Sequence, residues 1–220
     1  MDQYFEILSA SPLFTGISRE EISAMLGCLG SRIVDIPKGA PVFLEGDDAG
    51  NFGMVLSGSI QIVRDDFDGS RSVLTYADEG ELFAEAFACA GAPTMPVSAY
   101  ALKDSKIMLF SCQKMLTVCS SACQFHNRLV KNLLTVVAQQ NLRLSSKIQV
   151  MSQRTTREKL MTYLLGQAKI AGNAEFTIPL DRQALADYLG VERSAMSAEL
   201  SKLRKEGILD TKGSWFCLYS

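Results

Sequence analysis

Between Pro96 and Gly166 the chain has neither proline nor glycine. Inside that stretch Val130, Leu134, Val137, Asn141, Leu144, Ile148 and Met151 recur at alternating intervals of four and three. Such a register stays on one face only when two helices wrap around each other, so Cys123–Met151 is predicted as a helix with a heptad seam. Gln139, Gln140, Arg143, Ser145, Ser146 and Lys147 lie between the seam positions, so the helix is not apolar all round. Its apolar edge exceeds what one small domain covers, which points to self-association. An ordinary amphipathic core helix is the alternative, because the register lasts only three to four heptads.

At 220 residues the chain has room for one large domain or two of modest size. A hydrophobic content of 47% and a charged content of 21% describe a folded, soluble protein. The net charge of −2 is unevenly spread: from Ser152 onward 10 Lys/Arg stand against 8 Asp/Glu, and the remainder carries 12 against 16. That tilt lets the C-terminal part meet an anionic partner without requiring one. The opening MDQYFEILSASPLF lacks the basic region and apolar core of a signal peptide, so a cytoplasmic location is expected. Leu82–Leu102 is long and apolar, but Glu85, Gly91, Pro93 and Pro96 within it argue against a membrane helix, and no membrane partner is expected.

Six cysteines (Cys28, Cys89, Cys112, Cys119, Cys123, Cys217) are scattered without a C-x2-C pair, and His126 is the one histidine. The spacing implies no metal site. Cys119 and Cys123, four apart on the expected helix, read either as buried small hydrophobes or as a thiol sensor. His126 reads as a surface or packing residue.

From Ser31 the pattern changes to short apolar or alternating runs: Ser31–Ile36, Pro41–Leu44, Phe52–Ser57, Ser59–Arg64, Arg71–Tyr76, Val97–Leu102 and Ser105–Phe110. Gly and Asp punctuate them, and Asp68-Gly69 has hairpin-loop chemistry. Short strands at such spacing predict a sandwich or barrel of the jelly-roll kind. Two short helices, Asp2–Leu8 and Ser18–Leu29, precede them, the second with capping-box spacing between Ser18 and Glu21.

Glu45-Gly46-Asp47, Val55-Leu56-Ser57-Gly58, the hairpin ending at Gly69, and Gly80-Glu81-Leu82-Phe83-Ala84-Glu85 follow one another here. In these motifs the stretch resembles the cyclic-nucleotide-binding-type β-roll of the Crp/Fnr superfamily of bacterial transcription regulators. The resemblance implies a phosphate-binding cassette after the hairpin, with a short helix N-terminus, a Glu for the ribose hydroxyl and an Arg-Ser pair for the cyclic phosphate. Glu85 matches, but Met95-Pro96 stands where the Arg-Ser pair belongs, and no Lys or Arg lies between Arg71 and Lys103. A buried phosphodiester without a cation would cost several kcal/mol. The expected effector is therefore small and less charged than cyclic AMP or GMP, its identity unknown, within a wall of Phe83, Phe87, Met95, Val97 and Tyr100. Ala84, Glu85, Pro96, Leu144 and Ser145 complete the effector set; the last two sit where the family's long helix touches ligand. The alternative is that these residues fill a core and hold nothing. The superfamily's iron–sulfur branch is not matched, since Cys28 stands alone near the N-terminus.

After a polar hinge at Ser152–Thr156 the pattern predicts a helix over Arg157–Lys169, a short strand at Glu175–Pro179, and then DRQALADYLGVERSAMSAELSKLRKEGIL. Asp181 is a good N-cap. Ala184, Leu185, Tyr188 and Leu189 form the inner face of one helix, Gly190 allows a sharp turn, and Met196, Leu200 and Leu203 face inward from a second. Helix, glycine turn, helix is the helix-turn-helix arrangement. Ile208–Asp210 and Trp215–Leu218 around Lys212-Gly213 form a wing. On the outward face of the second helix lie Glu192, Arg193, Ser194, Ser197 and Ser201, of which Arg193 alone can bond guanine in a bidentate way. The family's first base-reading Arg falls on Arg193, whereas its following Glu and later Arg fall on Ser194 and Ala198, which implies a different or less stringent site. Arg182, Lys202, Lys205 and Lys212 are either phosphate contacts or solvated surface charges.

The chain is thus expected to be α+β: a double-stranded β-helix (jelly-roll) sensor domain over 1–113, a dimerisation helix over 114–151, and a winged helix-turn-helix DNA-binding domain over 152–220. The implied function is a homodimeric transcription regulator that binds a palindromic operator in double-stranded DNA, senses a small effector or redox signal, and contacts RNA polymerase if it activates. The alternative is a metabolite- or cyclic-nucleotide-binding protein without DNA-binding function. No catalytic residues are expected, as no nucleophile motif, P-loop or metal cluster is evident.

Overall fold

The computed structural model describes residues 4–65, 71–117 and 124–219. They belong to two compact units, Met1–Gln139 and Gln140–Ser220. The hairpin tip at Asp68-Gly69 and the cysteines Cys119 and Cys123 lie outside the described residues.

The first unit begins with α1 (Phe5–Ala10) and α2 (Arg19–Cys28). Ser18 and Glu21 close the capping box their spacing announced, each side chain bonding the other's backbone N–H. Strands β1 (Arg32–Ile36), β2 (Pro41–Phe43), β3 (Asn51–Ser57), β4 (Ser59–Asp65) and β5 (Arg71–Asp78) follow. After them come β6 (Leu82–Phe83), α3 (Glu85–Cys89), β7 (Ser98–Ala101), β8 (Ser105–Ser111) and α4 (Cys112–Leu116). Among the described residues these strands form two four-stranded antiparallel sheets, ordered β1-β8-β3-β6 and β2-β7-β4-β5.

Alternation along β3 and β8 separates two cores, because successive side chains leave a strand on opposite faces. Phe52, Met54, Leu56, Met108 and Phe110 turn outward onto the N-terminal helices, joining Phe14, Met25 and Met115. Val55, Ile107 and Leu109 turn inward and meet Ile60, Ala99 and Ala101 between the sheets.

Helix α5 runs unbroken from Gln124 to Met151. In the first unit it packs Leu129 and Leu133 into the outer core. His126 is buried there, its Nε2 2.8 Å from the carbonyl of Met115, so of the surface and packing readings it takes the second. Asn132 Nδ2 donates to the carbonyls of Leu13 and Thr15, 2.9 Å each, pinning the N-terminal segment to the helix.

In the second unit α6 (Thr156–Ala171) starts at a Thr155–Glu158 capping box, and β9 (Glu175–Thr177) follows. Then come α7 (Arg182–Leu189), α8 (Arg193–Lys205) and the hairpin β10 (Leu209–Lys212) and β11 (Trp215–Leu218). Sheet order is β10-β11-β9. Leu160, Leu164, Leu185, Ala186, Leu189, Met196, Leu200, Leu203 and Phe216 make one core with Val150 of α5. Gly190 adopts a φ of 60°, the left-handed region that favours glycine, so the tight turn suits it; the nearest neighbour a Cβ would meet is the flexible end of Met151.

Candidate nucleic-acid interface and effector site

The α7–turn–α8 unit presents the expected face of α8 to solvent. Met196, Leu200 and Leu203 are buried beneath it, while Arg193, Ser194, Ser197 and Ser201 are all exposed. Asp181 caps α7 by accepting from the N–H of Ala184 at 2.8 Å. Glu192, by contrast, makes no side-chain cap at the start of α8. Ser201 Oγ donates to the carbonyl of Ser197 at 2.9 Å, so that hydroxyl is engaged within its own helix. The tilt of α8 is held from below by Arg157 of α6, which donates to Glu206 at 3.0 and 2.6 Å and pairs with Glu199 at 3.5 Å.

Lys202, Lys205 and Lys212 are exposed, Lys212 ending the first wing strand; Lys202 also lies 3.5 Å from Glu199. Arg182 is half-buried rather than the solvated surface charge of one reading. Its guanidinium lies 4.9 Å over the Phe216 ring, and Nη2 donates to Thr211 Oγ1 at 2.7 Å. Burial lowers its pKa, and Nη1 is buried without a hydrogen-bond partner. Arg182 therefore braces α7 against the wing. Thr211 and Phe216 hold it there, and no local spacing announces that contact because the three residues meet only when the hairpin folds back.

The candidate effector residues divide. Phe83, Met95 and Val97 are buried in one apolar cluster between the two sheets, with Ala84 and Phe87 at its margin. Phe83 lies directly over Gly53, where a Cβ would come within 2.3 Å of the ring, and 5.9 Å from Phe43. Phe43 belongs to this wall although its run marked only a strand; its inward place in that run was the available signal. Glu85 is buried at the first position of α3, and Pro96 is exposed. Tyr100 turns away from the wall. Ala99 and Ala101 take the inward positions of β7, and Tyr100 instead lies under Arg71, whose guanidinium is 4.5 Å from the ring and bonded to Asp65 at 2.8 Å. Leu144 and Ser145 are exposed positions of α5 in the second unit.

Ala84 is the one non-glycine with positive φ among the described residues, at 64°. A left-handed alanine costs about 1–2 kcal/mol, and glycine returns part of that in chain entropy. Ala84→Gly is thus expected to stabilise the protein by about 0.5–1 kcal/mol, raising the melting temperature by a few degrees. A lower melting temperature would show that Ala84 earns its strain by packing.

The sequence profile of the cyclic nucleotide-binding domain matches residues 33–122, and that of the Crp-like helix-turn-helix domain matches residues 158–218. The chain belongs to the Crp/Fnr superfamily. It is similar to the cyclic AMP receptor protein of Thermus thermophilus, 24% identical over 202 residues that span 92% of this chain and 89% of the relative. The crystal structure of the Thermus thermophilus catabolite activator protein shares its fold, with a TM-score of 0.55 at 23% identity over 95% of this chain and 94% of that one. DNR from Pseudomonas aeruginosa aligns with a TM-score of 0.52 at 25% identity, over 98% of this chain and 93% of its own. The protein is accordingly a Crp-family transcription regulator with a β-roll and a DNA-binding winged helix-turn-helix. Among the described residues no helix is long and apolar enough to cross a membrane.

Proposed function

We propose that the protein is a cytoplasmic homodimer that reads a palindromic operator through Arg193 and is controlled by a small effector other than a cyclic nucleotide. The observation that carries the dimer is the exposed stripe on α5. In the single chain Leu134, Leu144 and Ile148 remain 69%, 62% and 68% exposed, on the register that also holds Val130, Val137, Asn141 and Met151. Water-facing leucine and isoleucine at heptad spacing are a seam waiting for its twin. Asn141 falls at an a position of that seam, where a pair of asparagines fixes register at some cost in stability.

Two copies joined there would present two α8 helices to half-sites about one helical turn, ~34 Å, apart. Arg193 supplies the bidentate guanine contact, Ser194, Ser197 and Ser201 line the same face, and Lys202, Lys205 and Lys212 meet phosphates. Arg182 acts indirectly, by fixing the wing. RNA polymerase is a further partner if the regulator activates.

Against a cyclic nucleotide stand Met95-Pro96 in place of the Arg-Ser pair and the engagement of Arg71 with Asp65 and Tyr100. An apolar or weakly polar effector that displaces Phe83 suits the wall of Phe43, Met95 and Val97 better. It would act by population shift, preferring one packing of the seam by no more than its differential affinity.

The test is binding to the protein's own promoter. Arg193→Ala is expected to lower specific affinity about 10- to 100-fold per half-site, and wild-type binding is expected to weaken steeply with salt. Salt-independent binding, or none lost on Arg193→Ala, would leave the metabolite-binding alternative standing.

A further inference from the structure

Cys89 closes α3 and Cys112 opens α4. The fold brings their sulfurs to 3.8 Å, with the Cys112 S–H directed at Cys89 Sγ. Both are free thiols, Cys112 buried and Cys89 half-buried. Neither belongs to the candidate DNA-reading or effector set. We propose that Cys89 and Cys112 form a dithiol site that hydroperoxides convert into an intramolecular disulfide.

The geometry asks for little. A disulfide bond is about 2.05 Å long, so the sulfurs must close by a little under 2 Å, within reach of side-chain rotation and a small helix adjustment. The backbone N–H of Cys112 donates to the carbonyl of Gly50 at 3.0 Å and fixes that end. Ala88, Phe110 and Met115 belong to the apolar cluster that also takes in both cysteines, so the second thiol is the nucleophile at hand for an oxidised first one. The half-buried Cys89 is the point of entry for the oxidant.

The chemistry balances as follows. The Cys89 thiolate attacks one peroxide oxygen, the O–O bond breaks, and the departing oxygen takes up a proton to leave as alcohol, or as water from hydrogen peroxide. Cys112 sulfur then attacks the sulfur of the resulting sulfenic acid. The S–S bond forms, the S–O bond breaks, and the hydroxide leaves with the Cys112 proton as a second water. Two thiols are oxidised and one peroxide is reduced. Burial first, and then Cys112, push Cys89 up to about 12, so little thiolate exists at neutral pH. The disulfide ties the end of α3, the helix that begins with Glu85, to the start of α4.

This inference stands on the first unit alone and is independent of the proposed operator and effector. The test uses the full chain carrying Cys28→Ser, Cys119→Ser, Cys123→Ser and Cys217→Ser, treated with hydrogen peroxide. The expected result is loss of both thiols in denaturant, a mass lower by two hydrogens, and a Cys89–Cys112 peptide cross-link that dithiothreitol opens. The melting temperature should rise by several degrees and fall back on reduction. Adding Cys112→Ala should abolish both cross-link and rise. Two thiols that stay alkylatable, or a mass raised by oxygen atoms without a cross-link, would overturn the site. Should the four-fold variant fail to fold, peptide mapping of the peroxide-treated native chain decides: a Cys89–Cys112 link supports the site, and links confined to other cysteines overturn it.

Discussion

An Ile148→Asp variant is expected to be a folded monomer at concentrations where the proposed native dimer persists. Ile148 is 68% exposed in the single chain, so aspartate there costs the isolated fold almost nothing. In a paired seam the change removes two buried isoleucines, about 2–3 kcal/mol each, and sets two carboxylates face to face in a dry interface. The combined penalty of roughly 6 kcal/mol or more corresponds to at least about a 10⁴-fold weaker dimer. Leu142 provides the control. It is 67% exposed and equally apolar, yet sits six residues away, about 120° around the helix from Ile148. Leu142→Asp should therefore remain dimeric. Light scattering distinguishes the cases, and a dimer that survives Ile148→Asp, or one lost equally with Leu142→Asp, would refute the seam.

Phe83→Ala is expected to be the most destabilising single change at the candidate effector site. Phe83 is 3% exposed, lies on Gly53 and faces Phe43. Removing a buried phenyl ring costs about 3–5 kcal/mol, because the walls collapse only in part. For a protein of this size that lowers the melting temperature by roughly 10 °C. The cavity left behind is apolar, so a small aromatic probe such as indole should recover part of the loss, as any ligand that prefers the folded state does. Cyclic AMP at micromolar concentration should change the melting temperature of neither form, for want of a cation to meet its phosphate. A rise of several degrees with cyclic AMP in the native chain would overturn the reading of the pocket.

Much of the winged domain was legible because its signals are local. Gly190 between two amphipathic runs, the Asp181 cap and the Met196–Leu200–Leu203 stripe each depend on neighbours within a few turns, and all three fold as read. The same holds for the Ser18–Glu21 capping box and for most strands of the roll, whose boundaries moved by only a residue or two. The surroundings of Tyr100 and Arg182 were not legible, for the opposite reason. Which way Tyr100 points depends on the register of β7 against β2 and β4, and what Arg182 touches depends on a hairpin some thirty residues further on. The contact between Cys89 and Cys112 is of that same kind.

Alone, the sequence determined the chain's parts: the periods of two and of 3.6 that make a roll, a long helix and a winged helix, together with the absence of any Lys or Arg between Arg71 and Lys103. Only the tertiary structure decided how the apolar residues of α5 are spent. Leu129 and Leu133 are buried in the core of the first unit, while Leu134, Leu144 and Ile148, chemically their equals, are left in water. Periodicity records that a residue is apolar and which face it shares; burial depends on what the rest of the chain brings to that face. On the heptad stripe, Leu134, Leu144 and Ile148 are positions that the single chain leaves uncovered.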